Sequence, residues 1–171
     1  MSSYYFTIIG TRDNPLYELE FSSFKSNSLA AVYGNNVIPG QSQFSANVKE
    51  ILPFISHSSL DIVEDATWSS NQFSLGRIDS FYGLSVNAFV TQGNIKFILC
   101  YDSPGTNSNG VAGVGSTTSS SKNDDNAIKQ FFTEVNELYV KCLLNPLYSV
   151  NDAIKSPDFD LKIKLSARKY L

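Results

Sequence analysis

Asp124–Asn145, DDNAIKQFFTEVNELYVKCLLN, carries the one long, regular period in this chain. Ile128, Phe131, Phe132, Val135, Leu138, Tyr139, Cys142 and Leu143 recur at steps of three and four, which puts them on one face of an α-helix. Asp124 and Asp125 stand as cap candidates, Glu137 and Lys141 as an i,i+4 pair on the outer face, and Asn145-Pro146 as the stop. A stripe this wide needs a broad apolar surface beneath it, and the strands on its N-terminal side supply one.

Upstream of the helix, Ile95–Tyr101 is apolar on both alternating faces apart from Lys96, and Tyr4–Gly10, YYFTIIG, has the same character apart from Thr7. Strands of this kind belong at the centre of a sheet covered on both sides. Leu16–Phe21 instead alternates, Tyr17, Leu19 and Phe21 against Glu18 and Glu20, and reads as an edge strand after the Asp13-Asn14-Pro15 turn. Phe73–Phe81 and Tyr82–Thr91 complete five strands, with Leu84, Val86, Ala88 and Val90 opposite Ser85, Asn87 and Thr91, and a Gln92-Gly93-Asn94 hairpin loop beyond.

Between the edge strand and Phe73, Asn47–Trp68 approximates helical spacing through Val48, Leu52, Ile55, Ile62, Val63 and Ala66. Pro53 implies either a start near Leu52 or a kink at that point. Ser156-Pro157, followed by Asp158 and Asp160, opens a terminal helix to about Tyr170. The order β-β-α-β-β-β-α-α gives an α/β sandwich: a five-stranded, mainly antiparallel sheet with one helix on one face and two on the other. One domain, 1–171, is expected, with long flexible loops at about 22–46 and 102–123, where Ser, Gly, Asn and Thr dominate.

Composition narrows the function. A net charge of -3 gives no electrostatic reason for nucleic acid or an anionic membrane as a partner, and no stretch approaches the ~20 apolar residues of a membrane span. A cytoplasmic protein is expected. The two cysteines, Cys100 and Cys142, sit among core-type neighbours and read as buried thiols. The Gly/Ser-rich segment after Asp102 has neither GxxxxGK[ST] nor GxGxxG, so it is no phosphate loop. His57, the one histidine, lies four residues from Asp61 and would share a helix face with it. A second histidine for a metal site and a GxSxG for a hydrolase are both missing, so no cofactor, metal or catalytic residue is assigned. Glu18 and Glu20 read as the wet face of an edge strand.

Read together, YYFTIIGTRDNPLYELEF, PFISHSSLDIVEDATW, FYGLSVNAFVTQGNIKFILCYD and the run from Ile128 to Leu171 resemble the sedlin family of TRAPP complex subunits, within the longin or SNARE-like folds. The DNP turn, the S-L-D-I-V-E-D helix, F-x-x-E-V-x-E-L-Y-V-K-x-L-x-N-P and I-x-S-P-x-F-D are specific in aggregate. The resemblance implies this same sandwich and a non-catalytic adaptor in ER-to-Golgi and Golgi vesicle traffic and in autophagy. Such a subunit would join a Bet3-like small subunit, in the core of a Rab GTPase exchange factor, to the large subunits specific to TRAPP II and III. It would reach ER and cis-Golgi membranes only through the complex. Asp61 matches the family's first-helix aspartate, a position tied to partner attachment. His57, Glu64 and Asp65 join it as neighbours by helical geometry. The loops depart from compact family members. The competing expectation is a longin-type module that binds a SNARE or adaptor peptide.

Overall fold

The computed structural model describes residues 2–23, 42–102 and 120–171, with side chains of the last span from residue 124. The elements are β1 (Ser3–Ile9), β2 (Pro15–Ser22), α1 (Ala46–Ser58), α2 (Leu60–Ser69), β3 (Ser74–Phe81), β4 (Leu84–Val90), β5 (Lys96–Asp102), α3 (Ser120–Leu143) and α4 (Pro157–Tyr170). The five strands form one antiparallel sheet in the order β2-β1-β5-β4-β3. The two doubly apolar strands, β1 and β5, are neighbours in the middle, and β2 is at an edge. β1 pairs with β5 because two strands apolar on both faces each need a paired neighbour on either side and a helical layer above and below.

One face of the sheet meets α3 and α4. Phe6, Tyr17, Phe21, Phe89 and Phe97 from the strands pack with Ile128, Phe131, Phe132, Val135 and Tyr139 of α3 and with Phe159 and Ile163 of α4. Phe6 and Phe131 meet edge to face at 5.3 Å, and Phe89 stacks on Phe97 at 5.7 Å. Burying each such ring contributes roughly 1.5–3 kcal/mol. On the other face Tyr5, Ile9, Val86, Ile98 and Cys100 take Leu52, Ile55 and Leu60, while Val63 packs with Ala88 and Val90. This is the three-layer sandwich that the resemblance implies.

Several local expectations change. The long helix begins at Ser120, so Asp124 and Asp125 lie inside it and cap nothing. Glu137 and Lys141 make no ion pair among the described residues, and Glu134 instead takes Lys169 of α4 at 3.0 Å. Leu143 turns outward and is 38% exposed, as is Ile62. Cys142 is only half-buried, whereas Cys100 is fully buried. β4 is covered on both faces, so Ser85 and Asn87 are buried rather than wet: α3 reaches far enough to roof the side that alternation marks as polar. Tyr82 belongs to the β3–β4 turn with Gly83, both at positive φ, 51° and 79°. The flexible loops expected at about 22–46 and 102–123 fall mostly outside the described residues, although their last residues belong to α1 and α3.

Of the two expectations at Pro53, the start near Leu52 does not hold: the helix begins at Ala46, where the Ser45 hydroxyl accepts from the Val48 amide. Pro53 sits in its interior on the exposed side, and the interruption falls at Ser59 instead. A proline removes only one donor, and one buried face holds the segment to the sheet on both sides of it. Ser59 itself keeps αR geometry, its amide donating to the Ile55 carbonyl and its carbonyl accepting from Val63, each at 3.0 Å. The 3.6-residue period therefore runs through from α1 into α2.

Candidate partner-binding surface

The side chains that hold α1 and α2 to the sheet leave one continuous face outside. Leu52, Ile55, Ser56, Ser59, Leu60 and Val63 point inward. At the sheet edge Lys49 turns down to Glu20 of β2 at 3.0 Å, and the Ser42 hydroxyl donates to the same carboxylate at 2.7 Å. Partial burial works against ionisation of Glu20, but the hydrogen bonds from Ser42 and Lys49, with the Lys49 charge, outweigh it and hold the carboxyl below its ordinary value. The Tyr5 hydroxyl donates to Glu18 at 2.7 Å. Of the two carboxylates read as a solvated face, Glu20 thus helps to clamp the first helix, while Glu18 ties β2 to β1.

Opposite the inward face stand Glu50, Phe54, His57, Asp61, Glu64, Asp65 and Trp68, all exposed. Counted from Glu50 they fall at steps of three and four, so they form one solvent stripe across the Ser59 junction. His57 and Asp61 share that stripe, as their spacing implies, although they stand on two helical segments. Among the described residues neither side chain makes a hydrogen bond or ion pair, and no group of three or more potential metal ligands exists. Glu64 and Asp65 flank Asp61 one turn further along. The four candidate residues are brought together. Their aromatic neighbours were missed: Phe54 is 65% exposed and Trp68 85%. The signal for them was the same period, broken in the sequence reading by the weight given to Pro53.

Elsewhere, Phe73, Val140, Leu143, Leu144, Leu147 and Val150 are 38–93% exposed at the C-terminal end of α3. Phe73, Val140, Leu143 and Val150 border a cavity of about 320 Å³ that reaches Phe89, Ile95 and Tyr139 and has no charged side chain in its wall. This apolar end lies across the sheet from α1 and α2. Cys100 offers no nucleophile, since burial and then the Asp79 charge push its thiol up to about 12. No helix among the described residues is long and apolar enough to cross a membrane.

The fold is thus an antiparallel sheet with helical layers on both faces, with the α1–α2 stripe and the apolar end of α3 exposed on its outside. The family described as Sedlin matches residues 8–169, and the chain belongs to the sedlin family. It is 34% identical to the trafficking protein particle complex subunit 20 of Saccharomyces cerevisiae, covering 98% of this chain and 97% of that protein. It is 36% identical to the transport protein particle 20 kDa subunit of Schizosaccharomyces pombe, covering 98% of each. A probable trafficking protein particle complex subunit 2 of Drosophila melanogaster is 34% identical over 100% of this chain and 99% of its own length.

Proposed function

We propose that this chain is a non-catalytic adaptor subunit of a trafficking particle of the TRAPP type. Its relatives are named as subunits of such particles, and they match it from end to end. In this reading it links the small-subunit core of a Rab exchange factor, through a Bet3-like neighbour, to larger subunits. It works in ER-to-Golgi and Golgi traffic and in autophagy, in the cytoplasm and at ER and cis-Golgi membranes through the complex. The observation that carries the reading is the α1–α2 outer face, where Asp61, His57, Glu64 and Asp65 stand exposed on a segment whose opposite side is fully engaged. An adaptor needs two separate contact surfaces. The neutral apolar end of α3 suits a permanent neighbour, because obligate interfaces resemble a core cut in half, while the charged helix face suits an exchangeable one.

The test is affinity purification of the tagged chain from a gently prepared lysate, wild type beside Asp61→Tyr, with co-purifying proteins identified by mass. Small subunits are expected with both, and large subunits with the wild type alone. Recovery of the wild type without particle subunits would refute the adaptor reading, and capture of an isolated SNARE or adaptor peptide would favour a peptide-binding longin module.

A further inference from the structure

The α1–α2 stripe has a composition that specifies what covers it. Glu50, Asp61, Glu64 and Asp65 supply four carboxylates, more negative charge than the net -3 of the whole chain. The remainder of the molecule is close to neutral, so the field is local to this face. Among the described residues no lysine or arginine answers it: Lys49, the one lysine of the two helices, is turned away to Glu20, and His57 is the stripe's one basic side chain. Asp61 and Asp65 are i,i+4 like charges, an arrangement that weakens a helix unless opposite charge is brought to it. Trp68, the sole tryptophan, is 85% exposed at one end of the stripe, and Phe54 is 65% exposed toward the other. They are separated by fourteen residues, about 21 Å along a helix. Exposed aromatics of this size are the usual anchors of protein interfaces.

We infer that this stripe is covered by a basic protein surface: Lys and Arg side chains facing the central carboxylates, between two apolar recesses about 21 Å apart that receive Phe54 and Trp68. The inference rests on the adaptor reading, and it names the chemistry of the partner that reading places on the first helix. The same charge argues against an anionic membrane or a nucleic acid on this face, since either would be repelled by four carboxylates.

The experiment uses the assembled particle, purified through the tagged chain and washed in salt from about 0.05 to about 0.5 M, a range over which exposed charge pairs become screened. Wild type is compared with Asp61→Tyr, Trp68→Ala, Phe54→Ala and the near-isosteric Glu64→Gln/Asp65→Asn double variant. Thermal unfolding of each isolated variant verifies that it folds. Wild type is expected to lose the large subunits progressively as salt rises. Trp68→Ala and Phe54→Ala should lose those same subunits at low salt, with binding weakened roughly tenfold or more. The neutralised variant should bind more weakly at low salt and show a flatter salt dependence. If wild type is indifferent to salt, and the aromatic and neutralised variants keep what Asp61→Tyr loses, the basic-partner inference is overturned while the adaptor reading stands. If Asp61→Tyr and every other variant keep all subunits, both fall.

Discussion

The Tyr17 hydroxyl on β2 donates to Oδ1 of Asp160 on α4 at 2.7 Å, across 143 positions of sequence. Asp160 is also held by Lys164 at 2.6 Å, so a single carboxylate ties the last helix to the sheet edge and supports that helix's own first turn. Burial, then the hydrogen bond to Asp160 and its charge, push the Tyr17 hydroxyl well above its ordinary value. Partial burial opposes ionisation of Asp160, but the bonds from Lys164 and Tyr17 outweigh it and hold the carboxyl low. The contribution of Asp160 is therefore fully present above the ordinary aspartate value of 3.8 and is lost as pH falls through the lower folded value. That of Tyr17 is present below 10 and is lost as pH rises beyond it. Tyr17→Phe should cost about 1–2 kcal/mol at neutral pH, discounted because Asp160 stays partly solvated. Urea denaturation across pH should show a smaller stability loss at both extremes in the variant.

Phe97 is fully buried on β5, with ring contacts to Phe6, Phe89, Phe132 and Tyr139. Phe97→Ser removes a ring shared by four others and leaves a hydroxyl without a donor or acceptor facing it. The expected loss is about 3–5 kcal/mol, enough to lower the thermal midpoint by roughly 6–20 °C. A variant that melts near the wild type would show that the aromatic cluster repacks.

Asp61→Tyr stands at the opposite extreme. Its side chain is exposed in the first turn of α2, so the expected stability change is within about 0.5 kcal/mol, the loss of an acidic residue there being offset by relief of its repulsion with Asp65. Denaturation of the isolated chain separates this from the binding defect, and gross unfolding would mean that any lost partner reflects lost structure.

Tyr82 holds φ at 51° in the β3–β4 turn, a conformation that a bulky residue adopts only at a cost. Followed by Gly83 it occupies the position where asparagine is favoured in a two-residue hairpin. Tyr82→Asn should therefore stabilise the chain by about 0.5–1 kcal/mol, offset in part by the lost edge-to-face contact with Phe81 at 4.8 Å. A raised denaturation midpoint checks it, and a lowered one would give the ring contact the greater weight.

The sandwich was legible because its two central strands carry no polar face and its longest helix no ambiguous period. Thr7, the polar exception in β1, is buried all the same. What was not legible lay where one residue type serves two ends. Ser85 and Asn87 alternate like a solvent face, and only the length of α3 decides that they are covered. Pro53 reads as a start or a kink, yet the apolar face on both sides of it carries the helix through. The acidic part of the candidate surface could be read from the exposed side of S-L-D-I-V-E-D. Its aromatic ends follow the same period, but Pro53 interrupts that period beside Phe54, and composition alone assigns Phe54 and Trp68 to a core.

The pairing of β1 with β5 has a consequence for biosynthesis. Tyr4 registers with Tyr101 and Ile9 with Lys96, so β1 leaves the ribosome roughly ninety residues ahead of the strand that completes it. β2 arrives early and covers one edge, but the other edge and both apolar faces of β1 wait for the middle of the chain and then for α3. During that interval the nascent hairpin is an unroofed apolar ribbon, a client for whichever chaperone meets it first. Synthesis speed from the end of β2 to the end of α3 at Leu143 thus sets how long this protein is vulnerable before it can fold.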